Sequence, residues 1–234
     1  IKGLLKNLIA LKYDNKKIIL LSLKAFVGFL FLLGTLFFTV YIGVFGHLAS
    51  VKELQNIQNY ESSEVYSNEK VLLGKYYLQD RTNVLYSDLP EHLIDALIAT
   101  EDLRFYEHNG IDTRSTLRVI FKSILLQNKK SGGGSTIHQQ LAKNLFHRKQ
   151  YSVLTMPVNK FREMIIGVRL QKAYTKEEIL QLYLNTVSFG ENTYGIETAA
   201  YRFFNKLPKN LKIEESAMLV GMLKGTNSYN PRLN

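Results

Sequence analysis

The chain has 234 residues, no cysteine and a formal net charge of +10. That length allows one sizeable domain with attachments, and the missing thiols exclude disulfides and thiolate metal sites. The positive charge is not gathered into one basic helix and no nucleic-acid-binding motif appears, which argues for a membrane surface or solubility and against a nucleic-acid partner.

In chain order, residues 1–24 carry Lys2, Lys6, Lys12, Lys16, Lys17 and Lys24 against one acid, Asp14. From Ala25 through Val51 there is no Asp, Glu, Lys or Arg. A helix of that length rises roughly 40 Å, enough for a hydrocarbon core of about 30 Å. The run is longer than the apolar region of a cleaved signal peptide. We read 1–24 as a cytoplasmic basic segment and 25–49 as an uncleaved transmembrane helix. The lysine excess predicts a cytoplasmic N-terminus, with everything after about residue 50 on the other side. The first residue is Ile rather than Met, so the native N-terminus is expected further upstream.

Residues 50–86 read as a linker with short strands at 64–66 and 71–78. From Asp88 the pattern turns helical. Pro90 suits a first turn after a Ser87 or Asp88 cap, and Leu93, Ile94, Leu97 and Ile98 form one stripe. Asp112 or Thr113 can cap a second helix bearing Leu117, Ile120, Phe121, Ile124 and Leu125. The Ser131–Gly134 loop breaks the chain. Further helices are expected at 136–146, 157–172, 176–185, 195–205 and 213–224, with Thr175-Lys-Glu-Glu178 as a capping box. The domain at 87–234 is therefore expected to be mainly α-helical.

Two stretches carry unusual chemistry. In the first, Ile94, Leu97, Ile98, Glu101 and Phe105 follow helical spacing, so Glu101 continues a buried stripe. A carboxylate there is partly desolvated, which makes it a better base. Asp102 turns about 100° away and suits a structural bond to nearby backbone. In the second, Gly132-Gly-Gly-Ser135 opens a helix, but no Lys follows the glycines directly and the Walker pattern fails. Thr136, Gln140, Lys143 and His147 share one face of that helix, and Ile137, Leu141 and Leu145 the other. A solvated face usually holds charges rather than Thr and Gln, so this one reads as a cradle for a phosphate or sugar, aided by free N–H groups at the helix start. Beyond Pro157, Lys160 and Glu163 are i, i+3 neighbours that could simply pair at the surface. Alternatively, Glu163 faces Glu101 across a cleft, an arrangement suited to glycosyl transfer from a phosphate leaving group.

Together these motifs resemble a known family. Glu101-Asp102-x-x-Phe105-x-x-His108-x-Gly110 is similar to the first motif of the peptidoglycan glycosyltransferases of family 51, found in class A penicillin-binding proteins and monofunctional transglycosylases. Gly133-Gly-Ser135-Thr136-Ile-His138-Gln139-Gln140-Leu-Ala-Lys143-Asn144 resembles the second. Lys160-x-x-Glu163 followed by Lys176-Glu-Glu-Ile-Leu-x-Leu-Tyr-Leu-Asn185 resembles the third. Gly195-Ile-x-x-Ala199-Ala200-x-x-Phe203-Phe204-x-Lys206 and Glu215-x-Ala217-x-Leu219-x-Gly221, with Tyr229-Asn-Pro231, resemble the last two. The match runs over about residues 65–231.

The resemblance implies a lysozyme-like, two-lobed α fold with one lobe against the membrane. It implies polymerisation of lipid II into glycan strands with inversion at the sugar C1. Glu101 would be the base that deprotonates the acceptor 4-hydroxyl. Glu163, Lys143 and Lys160 would stabilise the leaving pyrophosphate, with a divalent cation (Mg²⁺ or Mn²⁺) allowed at Glu163 and no organic cofactor. Ser135, Thr136 and Gln140 would line the donor side, and Asp102, Phe105, His108 and Asn144 join the substrate-binding set. The implied partners are lipid II, the lipid-linked growing glycan, the bilayer and other cell-wall synthesis and division proteins. The implied location is the bacterial cytoplasmic (inner) membrane, single-pass, with the catalytic domain outside.

The chain departs from that pattern twice. His138 stands where the family usually has Thr, and the wheel turns it toward Leu141 and Leu145, as a packing change rather than a ligand. Asn159 stands where the family usually has Arg. Arg162 lies about 100° from Glu163 and is a poor stand-in, which leaves Arg148 and Lys149 as candidate replacements. Asn159→Arg is then expected to raise activity. The alternatives to a processive glycosyltransferase are a lytic transglycosylase on the same fold and a weakly active cell-wall scaffold. Whether a transpeptidase follows Asn234 is open.

Overall fold

The computed structural model describes residues 2–57, 63–69, 72–76, 83–125 and 133–233. Helices dominate, and the chain divides into two compact units. One comprises Ile1–Leu48 with Tyr151–Arg162, the other Ala49–Gln150 with Glu163–Asn234.

The first unit contains α1 (Lys2–Tyr41) and the start of α6 (Thr155–Ala173). Within α1, Lys16–Tyr41 has a mean hydropathy of 2.2 and none of its apolar window is buried. By length and composition it could cross a membrane. The helix stops at Tyr41, short of the boundary at 49 expected from the apolar run. The cause is local. Gly43 and Gly46 adopt φ of 86° and 102°, a region that ends a helix and favours glycine. The Arg162 guanidinium then donates to the carbonyl oxygens of Phe45, Gly46 and His47 at 3.2, 3.0 and 3.0 Å. The Tyr151 hydroxyl donates to Phe45 O at 2.5 Å. Edge-to-face pairs Phe37–Phe161 and Phe45–Tyr151 complete the packing.

The second unit opens with α2 (Val51–Gln55), closed by a Ser50–Glu53 capping box. A small antiparallel hairpin, β1 (Ser63–Tyr66) and β2 (Leu72–Tyr76), follows, with a register irregularity at Val65/Tyr66. Val71, Tyr77 and Leu78 of the expected strand lie outside the described residues. Then come α3 (Glu91–Glu101), α4 (Thr113–Leu125), α5 (Ile137–Phe146), the rest of α6, α7 (Lys176–Thr186), the hairpin β3–β4 (Ser188–Gly190, Thr193–Tyr194), α8 (Ile196–Phe204) and α9 (Ile213–Leu223). Thr175 caps α7 in the expected box with Glu178. Pro90 sits at the cap of α3 rather than inside its first turn. Leu117, one of the apolar residues expected along α4, is 65 % exposed, and the α4 side chains beyond Val119 lie outside the described ones.

The core explains the helix pairing. α3 packs on α9 and α5 on α7. Leu93, Leu97, Ile137, Leu141, Leu170, Ile179, Leu180, Leu184 and Leu219 have no exposed surface. Each such side chain contributes about 1.5–3 kcal/mol by leaving water. These apolar stripes turn the polar faces at the end of α3 and along α5 toward each other.

Candidate active site

α3 ends at Glu101, where Asp102 leaves helical geometry at φ −157° and caps the last turn through its N–H to Ile98 O. Glu101 is half-buried. Its Oε2 accepts a hydrogen bond from Gln140 Nε2 at 2.7 Å. Gln140 Oε1 in turn accepts from the Tyr183 hydroxyl at 3.0 Å. Tyr183 has no exposed surface. Burial, and then the charge of Glu101, push its phenol far above the ordinary value, so it stays a neutral donor.

The loop after Glu101 is tied to the start of α5. Asp102 Oδ2 accepts from the Ile137 backbone N–H at 3.0 Å, which fits the structural role its position suggests. The Asp102 carboxylate also bonds His108 Nε2 at 3.0 and 3.1 Å. His108 Nδ1 accepts from the Gly110 N–H at 3.2 Å, which fixes the tautomer that donates to Asp102. Gly110 has φ 100°, and a Cβ there would meet Gly167 O at 2.6 Å. The Thr136 hydroxyl donates to Gly110 O at 2.7 Å and accepts from the Gln139 N–H at 3.2 Å, capping α5. Lys176 Nζ donates to the carbonyls of Phe105 and His108 at 2.6 and 2.7 Å. It lies 4.5 Å from the centre of the Phe105 ring. Phe105 has no exposed surface. Asp102, Phe105, His108 and Thr136 all help to hold the shape of this loop, and Asp102 and Thr136 also line the cleft beside Glu101.

His138 is fully buried, on the packed side as the wheel requires. Its Nε2 bonds Gln171 Oε1 at 2.9 Å, and its ring lies 5.2 Å from Phe105 and 5.4 Å from His108. Desolvation lowers its pKa to about 4, only partly offset by Gln171, so it is neutral. Asp102, His108 and His138 bring possible metal-ligand atoms within 4.8 Å of one another. By composition this group could hold a metal. The hydrogen bonds argue otherwise: His108 Nε2 carries the proton it gives to Asp102, and Asp102 also serves Ile137. The set is also nitrogen-rich, whereas Mg²⁺ takes oxygen ligands. We read it as a tether rather than a metal site.

Two open clefts flank α5. One, of about 280 Å³, is lined by Glu101, Arg104, Asp112, Arg118, Gly134, Ser135 and Thr136 among others. Gly132 of the glycine loop lies outside the described residues. Arg104 holds both Asp112 oxygens at 2.8 and 2.7 Å. Burial pushes the Asp112 carboxyl upward, but the Arg104 and Ser115 bonds outweigh it and hold the group well below the carboxylate range. The other cleft, of about 250 Å³, is lined by Lys143, Asn144, His147, Arg148, Thr186, Ser188 and Tyr194.

Arg148 Nε donates to Glu163 Oε1 at 2.8 Å, so one of the candidate replacement cations does sit on this carboxylate. Glu163 is buried at 5 % exposure. One carboxylate already carrying an arginine is a poor preformed Mg²⁺ site. Lys160 belongs to the first unit, as do Asn159 and Arg162. Arg162 serves the loop carbonyls already described, as its wheel position suggests. Asn159 is only 3 % exposed, and its Nδ2 donates to Thr155 O at 2.7 Å. An arginine there would have to place its guanidinium in a buried site. Tyr183, Gln171 and Lys176 are not among the expected site residues. Lys176 and Tyr183 do leave signals, Lys176 as part of the third motif and Tyr183 as a hydroxyl on an otherwise aliphatic buried stripe that needs a partner.

The transglycosylase family model matches residues 69–234. Over 174 residues the chain is 38 % identical to penicillin-binding protein 1F of Bacillus subtilis, covering 74 % of this chain and 23 % of that one. It is 35 % identical to penicillin-binding protein 1A of Pseudomonas aeruginosa over 80 % of this chain and 22 % of that one. It is 33 % identical to penicillin-binding protein 1A of Neisseria gonorrhoeae over 94 % and 27 %. The chain thus spans roughly a quarter of these relatives. On the family match and the ordered motifs, the chain belongs to the transglycosylase family, the peptidoglycan glycosyltransferases of family 51.

Proposed function

We propose that the chain is a membrane-anchored peptidoglycan glycosyltransferase that polymerises lipid II into glycan strands. The observation that carries this reading is the Glu101 carboxylate held by Gln140 at the edge of an open cleft. Glu101 takes the proton of the acceptor 4-hydroxyl. The oxygen attacks the donor C1 from the face opposite the lipid pyrophosphate. The bond from C1 to the pyrophosphate oxygen breaks and the configuration inverts. Lys143 and Arg148 meet the charge developing on the leaving group, with Glu163 orienting Arg148. Ser135, Gln140 and Asn144 line the path of the sugars, while Asp102, Phe105, His108 and Thr136 act through the loop they hold. A divalent cation, Mg²⁺ or Mn²⁺, when bound, would add to the charge stabilisation of the leaving pyrophosphate.

The helix ending at Tyr41 anchors the chain in the bacterial inner membrane, with the lysine-rich side cytoplasmic and the catalytic unit outside. Other cell-wall synthesis and division proteins are the proposed partners. The test is product analysis with labelled lipid II and, separately, with isolated sacculi. Long glycan strands from lipid II and intact sacculi support polymerisation. Shortened strands without new polymer indicate a lytic enzyme, and no turnover on either indicates a scaffold.

A further inference from the structure

The hydrogen bond on Glu101 has a second tier. Gln140 reaches Glu101 with Nε2 at 2.7 Å and receives the Tyr183 hydroxyl on Oε1 at 3.0 Å. A carboxylate acting as a base offers only acceptors, so the amide must turn its N–H to it. The amide oxygen then faces Tyr183, which must donate. The last torsion of a glutamine side chain is soft and roughly two-fold. Without a donor at Oε1 the amide could reverse and set its oxygen against the carboxylate. Tyr183 lies on the buried stripe of α7 with Ile179, Leu180 and Leu184, all without exposed surface. Packing alone would be met there by an apolar ring, so the hydroxyl requires a reason.

We propose that Tyr183 is a positioning residue, whose hydroxyl fixes the Gln140 amide so that Glu101 keeps a directed N–H donor. The proposal rests on Glu101 being the base. Tyr183 passes no proton itself. The other ionisable groups lining the Glu101 cleft are Asp102, Arg104, Asp112 and Arg118. Asp102 is bound to His108, and Arg104 to Asp112. A change at Tyr183 leaves these pairs in place.

The experiment uses the full chain in detergent micelles and labelled lipid II, with kcat and kcat/KM measured across pH. Tyr183→Phe should lower kcat roughly tenfold, the equivalent of one ordinary hydrogen bond, with KM nearly constant. The acid limb of the profile should move to higher pH, because charged Glu101 has lost a directed donor. An unmoved limb, or a rise in KM alone, overturns the proposal. Placing 3-fluorotyrosine at position 183 preserves the fold and strengthens the donor. It should move the limb to lower pH, and an unmoved limb or one displaced upward overturns the proposal even where the Phe variant fails to fold. Wild-type chain that makes no polymer marks failure of the base reading, and the proposal falls with it. Wild-type polymer with an unmoved limb marks failure of Tyr183 alone.

Discussion

Replacing His138 by Thr tests the packing of His138 against Phe105 and His108. His138 is fully buried, and its pKa falls from 6.5 to about 4. A base with a lowered folded pKa contributes stability that is present above its unfolded pKa and lost as pH falls toward its folded one. Near pH 7.5 the imidazole is neutral in both states and its contribution is complete. Near pH 5 the unfolded imidazole is mostly protonated while the folded one is mostly neutral, and about 2 kcal/mol is lost. Below the folded pKa the loss approaches about 3 kcal/mol. The assay is urea unfolding of the full chain in micelles, followed by near-UV circular dichroism of its 14 tyrosines, at about pH 7.5 and about pH 5. His138→Thr removes the Gln171 bond and some packing, so the variant is weaker at both pH values. The quantity to compare is the change between them. The wild type should lose about 2 kcal/mol more than the variant on acidification. Equal losses would refute the assignment of a buried neutral imidazole.

Other expectations concern the cation at Glu163 and the departure at Asn159. Arg148→Ala should lower kcat/KM with lipid II about a hundredfold, in the range for one lost donor to developing charge. Arg148→Lys should recover only part of it, because a point charge does not replace a planar fork. Wild-type rates in Arg148→Ala would remove Arg148 from the mechanism. Asn159→Arg should destabilise by about 2 kcal/mol or more and lower the melting temperature by several degrees. A gain in stability or rate would show that the site accepts the guanidinium.

Much of this was legible because helices announce themselves by period and caps. The Thr175 capping box, the α5 face and the turn of His138 toward its packed side all follow from spacing of about 3.6 residues. Setting Arg162 aside left Arg148 and Lys149, and Arg148 is seen to sit on Glu163. What stayed hidden depended on contacts distant in sequence. Thr136 looks like a ligand beside a glycine loop, yet its hydroxyl also bonds Gly110 and caps α5. Phe105 follows the α3 stripe by spacing, yet it lies in a separate short turn. The helix end at Tyr41 was obscured because the apolar run continues, while Gly43, Gly46 and Arg162 determine the break.

The role of Glu101 as the base for glycan polymerisation is tested by single-turnover polymerisation of labelled lipid II by the wild type and by Glu101→Gln, with binding of lipid II measured on both. Glutamine keeps the shape but cannot take a proton. Binding should be near-equal, and the chemical step should fall at least about a hundredfold, the lower range for a positioned general base. Retained polymerisation in Glu101→Gln would contradict that role.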